Sequence, residues 1–329
     1  VSKGGETLKA GGTAEVEPTT ASIRYAGTKR GLFYYLRRDW QLYALLLIPL
    51  SFVLLFKYAP MSGLMLAFKE YKIAKGFWGS EWVGLEVFQE LFAKPEFFKA
   101  VRNTLLLNVL DLLFSFTMPI VLALLLNEIR GTLFKRVNQT LLYLPHFLSW
   151  VIIGAIAYQL LGEGSGMINN LIEQMGGDRI PFLQKDTNWL FSYLAIGVWY
   201  SMGWGTIIYL AAITGVNPEL YEAATMDGAG RLRKMWNVTI PSIRMTIITL
   251  LILSLGNVMG GSFERIIGLA NKATTEFTTT IPVLVYRWGI EGGDFSRATA
   301  LGLFQAVIGL ILVVIADRIA KKLGEDGLF

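Results

Sequence analysis

Tyr221–Pro241, YEAATMDGAGRLRKMWNVTIP, is a polar island between two apolar runs, each long enough to cross a bilayer. Its pattern predicts two short helices. The first covers Tyr221 to Asp227, with Glu222 placed to favour the positive end of the helix dipole. Gly228 supplies the break, because glycine takes a positive φ without a Cβ clash. The second runs from about Ala229 to Ile240 and is expected to stop at Pro241, which lacks a backbone donor and disfavours helical geometry in the residue before it. Tyr221, Ala224 and Thr225 share one face of the first helix, and Leu232, Met235 and Trp236 share one of the second. Ala223 and Ala224 let another backbone come close, while Arg231, Arg233 and Lys234 keep the outer surface wet. Such a helix–turn–helix fits either a docking handle for another chain or a loop packing on its own bundle.

Working outward, the chain is too apolar for an ordinary soluble domain: 329 residues, 53% hydrophobic, 17% charged, mean hydropathy +0.48. The absence of cysteine excludes disulfides, thiolate metal sites and cysteine nucleophiles. One histidine, His146, argues against a His-based metal centre or a Ser-His-Asp triad. A net charge of +5 in a membrane chain reads as basic loops rather than a nucleic-acid surface. The polar first forty residues and the long apolar run after them predict no cleavable signal peptide.

Six spans are expected, near Trp40–Met61, Val101–Leu126, Leu141–Leu161, Trp189–Thr214, Ile243–Met259 and Ala298–Ala316. The fold class is therefore all-α and polytopic. A tail over 1–39, with a basic aromatic stretch Lys29–Asp39 that fits either an interfacial helix or a simple stop-charge flank, precedes a membrane domain over 40–316 and a tail over 317–329. With both termini cytoplasmic, the inner segments hold about 17 of the 30 Lys and Arg and the outer loops roughly 12, which favours this orientation. The first outer loop, Ser62–Ala100, is rich in aromatics that fit either a membrane-boundary belt or a sugar-stacking surface.

Ionisable residues inside spans are candidate functional groups. Asp111 is mid-span and is expected to face the bundle or a water-filled path; Arg102 is close enough to the boundary to snorkel. His146, after Pro145, suits a freed backbone carbonyl better than a proton relay. Pro49, Pro119 and Pro145 are expected kinks, and GVWYSMG in the fourth span reads as weak helix. There Trp199, Tyr200 and Trp204 fit either sugar stacking or helix packing. The fifth span ends in SLGNVMGGSFERIIGLAN, where Asn257 and Gly256, Gly260 and Gly261 suggest an unwound end lining a cavity. Glu264 and Arg265 follow, as part of a substrate path or as a salt bridge with each other.

Glu222-Ala223-Ala224, Gly228, Val238, Ile240 and Pro241 resemble the EAA loop of ABC-importer permeases: EAA, three residues, G, nine residues, I-x-L-P. Asp227 fits the motif; Val238 and Ile240 are conservative departures. YAPMSGLMLAFKEYKIAKGFWGSEWVGLEVF, LNEIRGTLFKRVNQTLLYLPHFLSW and FERIIGLAN resemble a branch that includes polysaccharide and alginate-type importers, and the likeness covers nearly everything after Trp40. The resemblance implies a six-helix type I importer permease in a bacterial cytoplasmic membrane, with no catalysis of its own. It also implies a second homologous permease, two ATP-binding subunits using ATP and Mg, an extracytoplasmic solute-binding protein and a saccharide substrate, with Tyr221, Glu222, Ala223, Ala224, Asp227, Gly228, Arg231 and Pro241 coupling to the ATPase. The chain carries no phosphate-cradling G-x-x-x-x-G-K-[ST], so any ATPase is expected on another chain. An ion-gradient-driven secondary transporter is the alternative, and the EAA spacing argues against it.

Overall fold

The computed structural model describes residues 34, 37–129, 131–256, 258–261, 263–271 and 273–322. Most of the expected tails, much of the expected interfacial stretch, and Asn257 lie outside the described residues. Four helices among the described residues are long and apolar enough to cross a membrane: Trp40–Phe68, Pro95–Glu128, Asp186–Thr214 and Phe295–Lys322. Counting each of two bent helix pairs as one span gives up to six.

The chain divides into two compact units, 1–61 and 62–329. In the first, α1 (Trp40–Val53) carries Pro49 in its interior and widens into a π turn at Leu54–Tyr58. Its side chains are apolar nearly all round, the pattern of a helix solvated by lipid.

The second unit opens with a minimal antiparallel pair, β1 (Lys69–Glu70) and β2 (Glu81–Trp82), in which Lys69 faces Trp82. Helix α2 (Glu86–Ala93) follows, and α3 (Pro95–Asp111) starts on a proline, where its missing N–H costs nothing. A π turn at Leu112–Phe116 joins α3 to α4 (Thr117–Glu128). Next come α5 (Thr132–Tyr143), α6 (Trp150–Leu161), α7 (Met167–Gln174) and the long α8 (Asp186–Thr214). The polar island forms α9 (Pro218–Met226) and α10 (Arg231–Ser242), after which α11 (Arg244–Gly256) sets off at 64°. Short helices α12 (Phe263–Leu269), α13 (Thr275–Thr278) and α14 (Ile281–Tyr286) lead to the final α15 (Phe295–Lys322).

The structure corrects several expectations. The third span is not a continuous Leu141–Leu161 helix: Thr132–Phe147 and Trp150–Leu161 meet at 107°. Pro145 sits in the tight turn Leu144–Phe147, and the Ser149 hydroxyl accepts from Ile152 N, capping a new helix. GVWYSMG is uninterrupted helix within α8, so packing overrides its weak propensity. The last helix runs on to Lys322, past the expected boundary at Ala316. The fifth span is helical only to Gly256, with the break expected from its glycines.

Lipid does not drive helices together as water does, so close approach of small residues matters. A Cβ on Gly203 of α8 would run into the backbone carbonyl of Leu142, and one on Gly154 of α6 into that of Gly268. Side chains satisfy carbonyls exposed by the breaks: Trp189 Nε1 donates to Leu269 O at 2.8 Å, and Asn271 Nδ2 to Leu183 O at 2.5 Å. A buried cluster of Leu107, Trp189, Tyr193, Ile266, Leu269 and Val283 thereby ties α3, α8, α12 and α14 together.

Candidate functional site

Along α3 and its π turn, Asn108, Asp111 and Ser115 form a polar stripe. They open onto a cavity of about 430 Å³. Its other walls are Pro119 of α4, His146 of the tight turn, Tyr200, Ser201 and Trp204 of α8, and Ser254, Val258 and Gly261 at the broken end of the fifth span. Gly261 has φ +59°, a turn that the Asn108 amide closely approaches. The stripe follows i, i+3 and i+7 positions on one helix, of which only Asp111 carries a charge that makes it conspicuous in the sequence.

Aromatic rings dominate one wall. His146 stacks on Trp204 with centroids 4.5 Å apart and planes 9° from parallel, and Tyr200 packs between His146 (5.4 Å) and Trp150 (4.3 Å). The Tyr200 hydroxyl donates to the His146 carbonyl at 3.4 Å. His146 Nδ1 is buried without a hydrogen-bond partner, so this nitrogen does not serve the freed carbonyl expected for it. Flat rings beside hydroxyls and an amide suit a ligand with apolar C–H faces and a polar rim, the surface pattern of a sugar.

Arg265 lies behind this wall. Its guanidinium donates from Nη1 to Asp111 Oδ1 at 2.9 Å and from Nη2 to Tyr193 O at 2.8 Å, and it sits 3.6 Å from the Tyr193 ring centroid. Ser115 Oγ donates to the same Asp111 oxygen at 2.8 Å. The partner of Arg265 is thus Asp111 and not Glu264, which is exposed. Neighbours in a helix point about 100° apart, so residues 264 and 265 cannot share a face. Of the residues expected on a substrate path, Asp111, Tyr200 and Trp204 line the cavity and Arg265 backs it, whereas Trp199 and Glu264 lie outside its lining.

The polar island builds a second, separate feature. Asn217 Oδ1 accepts from Glu219 N at 3.0 Å and Pro218 takes the first helical position, so α9 begins three residues before the expected Tyr221. Gly228 has φ +75°, and the bonds Gly228 N to Thr225 O and Ala229 N to Ala224 O close a Schellman turn. Pro241 does not stop α10 at Ile240: a π turn at Met235–Thr239 re-routes the bonding, and helical structure continues to Ser242. Tyr221 and Thr239 hydroxyls meet at 3.0 Å and Lys234 Nζ donates to Thr225 Oγ1 at 2.8 Å, bracing α9 against α10. Arg231 reaches back to Glu128 at 3.7 Å. Glu222, Ala223, Asp227 and Gly228 are exposed, Ala224 is half-buried, and Leu232 and Trp236 present apolar surface while Met235 packs inward.

A clasp fastens α13 to α3. Glu276 pairs with Lys99 at 2.9 Å and with Arg102, while Asn103 Nδ2 donates to Thr279 O at 2.9 Å. The bond from Lys99, joined by that from Arg102, holds the Glu276 carboxyl below its ordinary 4.5. A lowered carboxylate pKa means that the clasp is complete above the ordinary value and is lost as pH falls through the lowered one. Protection of the amides in 275–281, relative to their intrinsic exchange at each pH, should therefore persist down to the ordinary carboxylate range and fall only below it. Glu276→Gln should remove that step, with a modest overall effect because the pair is exposed.

Residues 115–325 match the family described as binding-protein-dependent transport system inner membrane component, and the chain belongs to it. Its mostly helical architecture is that of type I ABC importer permeases. It is 46% identical, over 96% of its length and 99% of the relative's, to the polygalacturonan/rhamnogalacturonan transport system permease protein YteP of Bacillus subtilis. It is also 46% identical to the B. subtilis protein LplB, over 94% and 97% of the two chains. Among solved structures, it is similar to a chain of a bacterial alginate ABC transporter in complex with an alginate pentasaccharide-bound periplasmic protein, with TM-score 0.83 and 38% identity over 90% of this chain and 99% of that one.

Proposed function

We propose that the chain is a permease subunit of an ATP-driven, binding-protein-dependent importer of an oligosaccharide derived from an acidic polysaccharide. The similarity to a polygalacturonan/rhamnogalacturonan permease over almost the whole chain carries this reading. The aromatic and hydroxyl-lined cavity and the likeness to an alginate transporter support it. In this reading the chain pairs with a second homologous permease, two ATP-binding subunits that use ATP and Mg, and an extracytoplasmic solute-binding protein. It lies in the bacterial cytoplasmic membrane with both termini inside and carries out no chemistry on the solute.

Helix α9, with Glu222, Ala223 and Ala224 along it and Asp227 and Gly228 at the turn that ends it, seats in the ATPase. Because α9 and α10 are braced together, its displacement passes into α11, which contributes Ser254 to the cavity wall. The bundle then alternates between states that differ in affinity for the ATPase and for the loaded binding protein, and that difference drives transport.

The test is ATPase activity of the purified complex in lipid, with binding protein loaded in turn with oligogalacturonate, alginate oligosaccharide or a neutral maltooligosaccharide. Stimulation by one of the acidic sugars is expected. Uptake that follows an ion gradient and ignores ATP would replace this reading with a secondary transporter.

A further inference from the structure

Among the residues lining the cavity, Asp111 is the one carboxylate, and no Lys or Arg joins it there. Its counter-charge is held differently. The Arg265 side chain is 3% exposed against 24% for Asp111, so the carboxylate faces the cavity and the guanidinium stands behind it. Space for that guanidinium exists because residue 197 of α8 is glycine: a Cβ there would overlap it. The rings of Tyr193 at 3.6 Å and Trp150 at 5.7 Å flank the cation. A pair that only fastened helices would have no need to show one end to the cavity. This one places a negative group where a solute passes and cancels it from behind.

Resting on the saccharide-importer reading, we propose that Asp111 and Arg265 together set the charge selectivity of the path, Arg265 acting as a positioning and neutralising residue that lets an anionic saccharide pass Asp111. Without Arg265, the Asp111 carboxylate would stand uncompensated at the cavity surface and repel a uronate carboxylate. Without the Asp111 charge, Arg265 would attract one. The two substitutions therefore act in opposite directions on an acidic solute relative to a neutral one of the same shape.

The experiment uses the assembled importer in proteoliposomes, with binding protein and ATP, and measures uptake of an oligogalacturonate and of its methyl ester. The quantity read is the acid-to-ester ratio relative to the unsubstituted complex, so that the selectivity of the binding protein cancels. Arg265→Gln should lower that ratio by about tenfold and Asp111→Asn should raise it, while Asp111→Asn/Arg265→Gln should return it towards its starting value. If Arg265→Gln fails to assemble, the direction of the Asp111→Asn ratio decides. Equal losses for both solutes, with the ratio unchanged, would overturn the proposal and leave the pair a structural tie. An unsubstituted complex that imports neither solute would instead overturn the saccharide reading beneath it.

Discussion

Replacing Gly228 with valine should uncouple transport while leaving the bundle intact. Gly228 sits at φ +75°, where an L side chain costs about 1–2 kcal/mol and a β-branched one more. A Cβ there would meet nothing within 4 Å, so the cost is conformational and not a clash. The turn it closes is exposed, so relief of strain would move the end of α9, carrying Asp227 with it, without disturbing the buried clusters. Uptake and sugar-stimulated ATPase activity should fall by about tenfold or more, the equivalent of roughly 1.4 kcal/mol of misplaced coupling. The amount of protein in the membrane should not change. Gly228→Asn, which tolerates the left-handed region, should keep most of the activity. Full uptake by the valine variant would remove this turn from the coupling pathway.

The second large effect is expected at Gly203. Its missing Cβ is where the backbone of Leu142 passes, with Tyr143 N also 3.0 Å from that position. Backbone cannot swing aside like the end of a side chain, so even Gly203→Ala should force α8 away from the Leu142–Tyr143 segment. Overpacking of this kind costs about 1–3 kcal/mol, and Gly203→Leu should cost more. The same movement would separate Trp204 from His146, and so damage the aromatic wall along with stability. Thermal unfolding in detergent should show a clear loss for Gly203→Ala. Gly302→Ala on α15 provides the contrast: nothing lies within 4 Å of its added Cβ, and a helix interior favours alanine. Similar melting of the two variants would mean that α8 and the preceding turn do not depend on this close approach.

These cases mark how far the residues could be read without a structure. Gly228 was legible because a positive-φ break between two short polar helices has few alternatives to glycine. The start of α9 at Asn217-Pro218 carries an equally local capping signal, which lies before the charged island and outside its motif. The bend at Ser149 was hidden inside an apolar run, where a single serine looks tolerable in a span. It acts as a cap only because Pro145 has already ended the previous turn. The pairing of Asp111 with Arg265 joins residues 154 positions apart and has no local signature; adjacency made Glu264 the more visible partner. Tyr200 and Trp204 are four apart on α8 and share a face, whereas Trp199 is turned away by about 100°, which period alone predicts once one of the three is placed. At Pro241 the usual effect of a helix breaker does not follow, because the π turn ahead of it absorbs the missing donor.

The early end of α11 bears on how the chain enters the bilayer at all. With 13 residues it measures about 20 Å, well short of a hydrocarbon layer about 30 Å thick. Released on its own from the insertion machinery, such a segment would leave an arginine at one end and a glycine-broken backbone at the other within the lipid. Its residence in the membrane depends on company: Asn108 beside the Gly261 turn and the small-residue contact of Gly256 with Gly309 and Val313 on α15. The fifth span is therefore expected to integrate stably only once α15 has been synthesised and has packed against it.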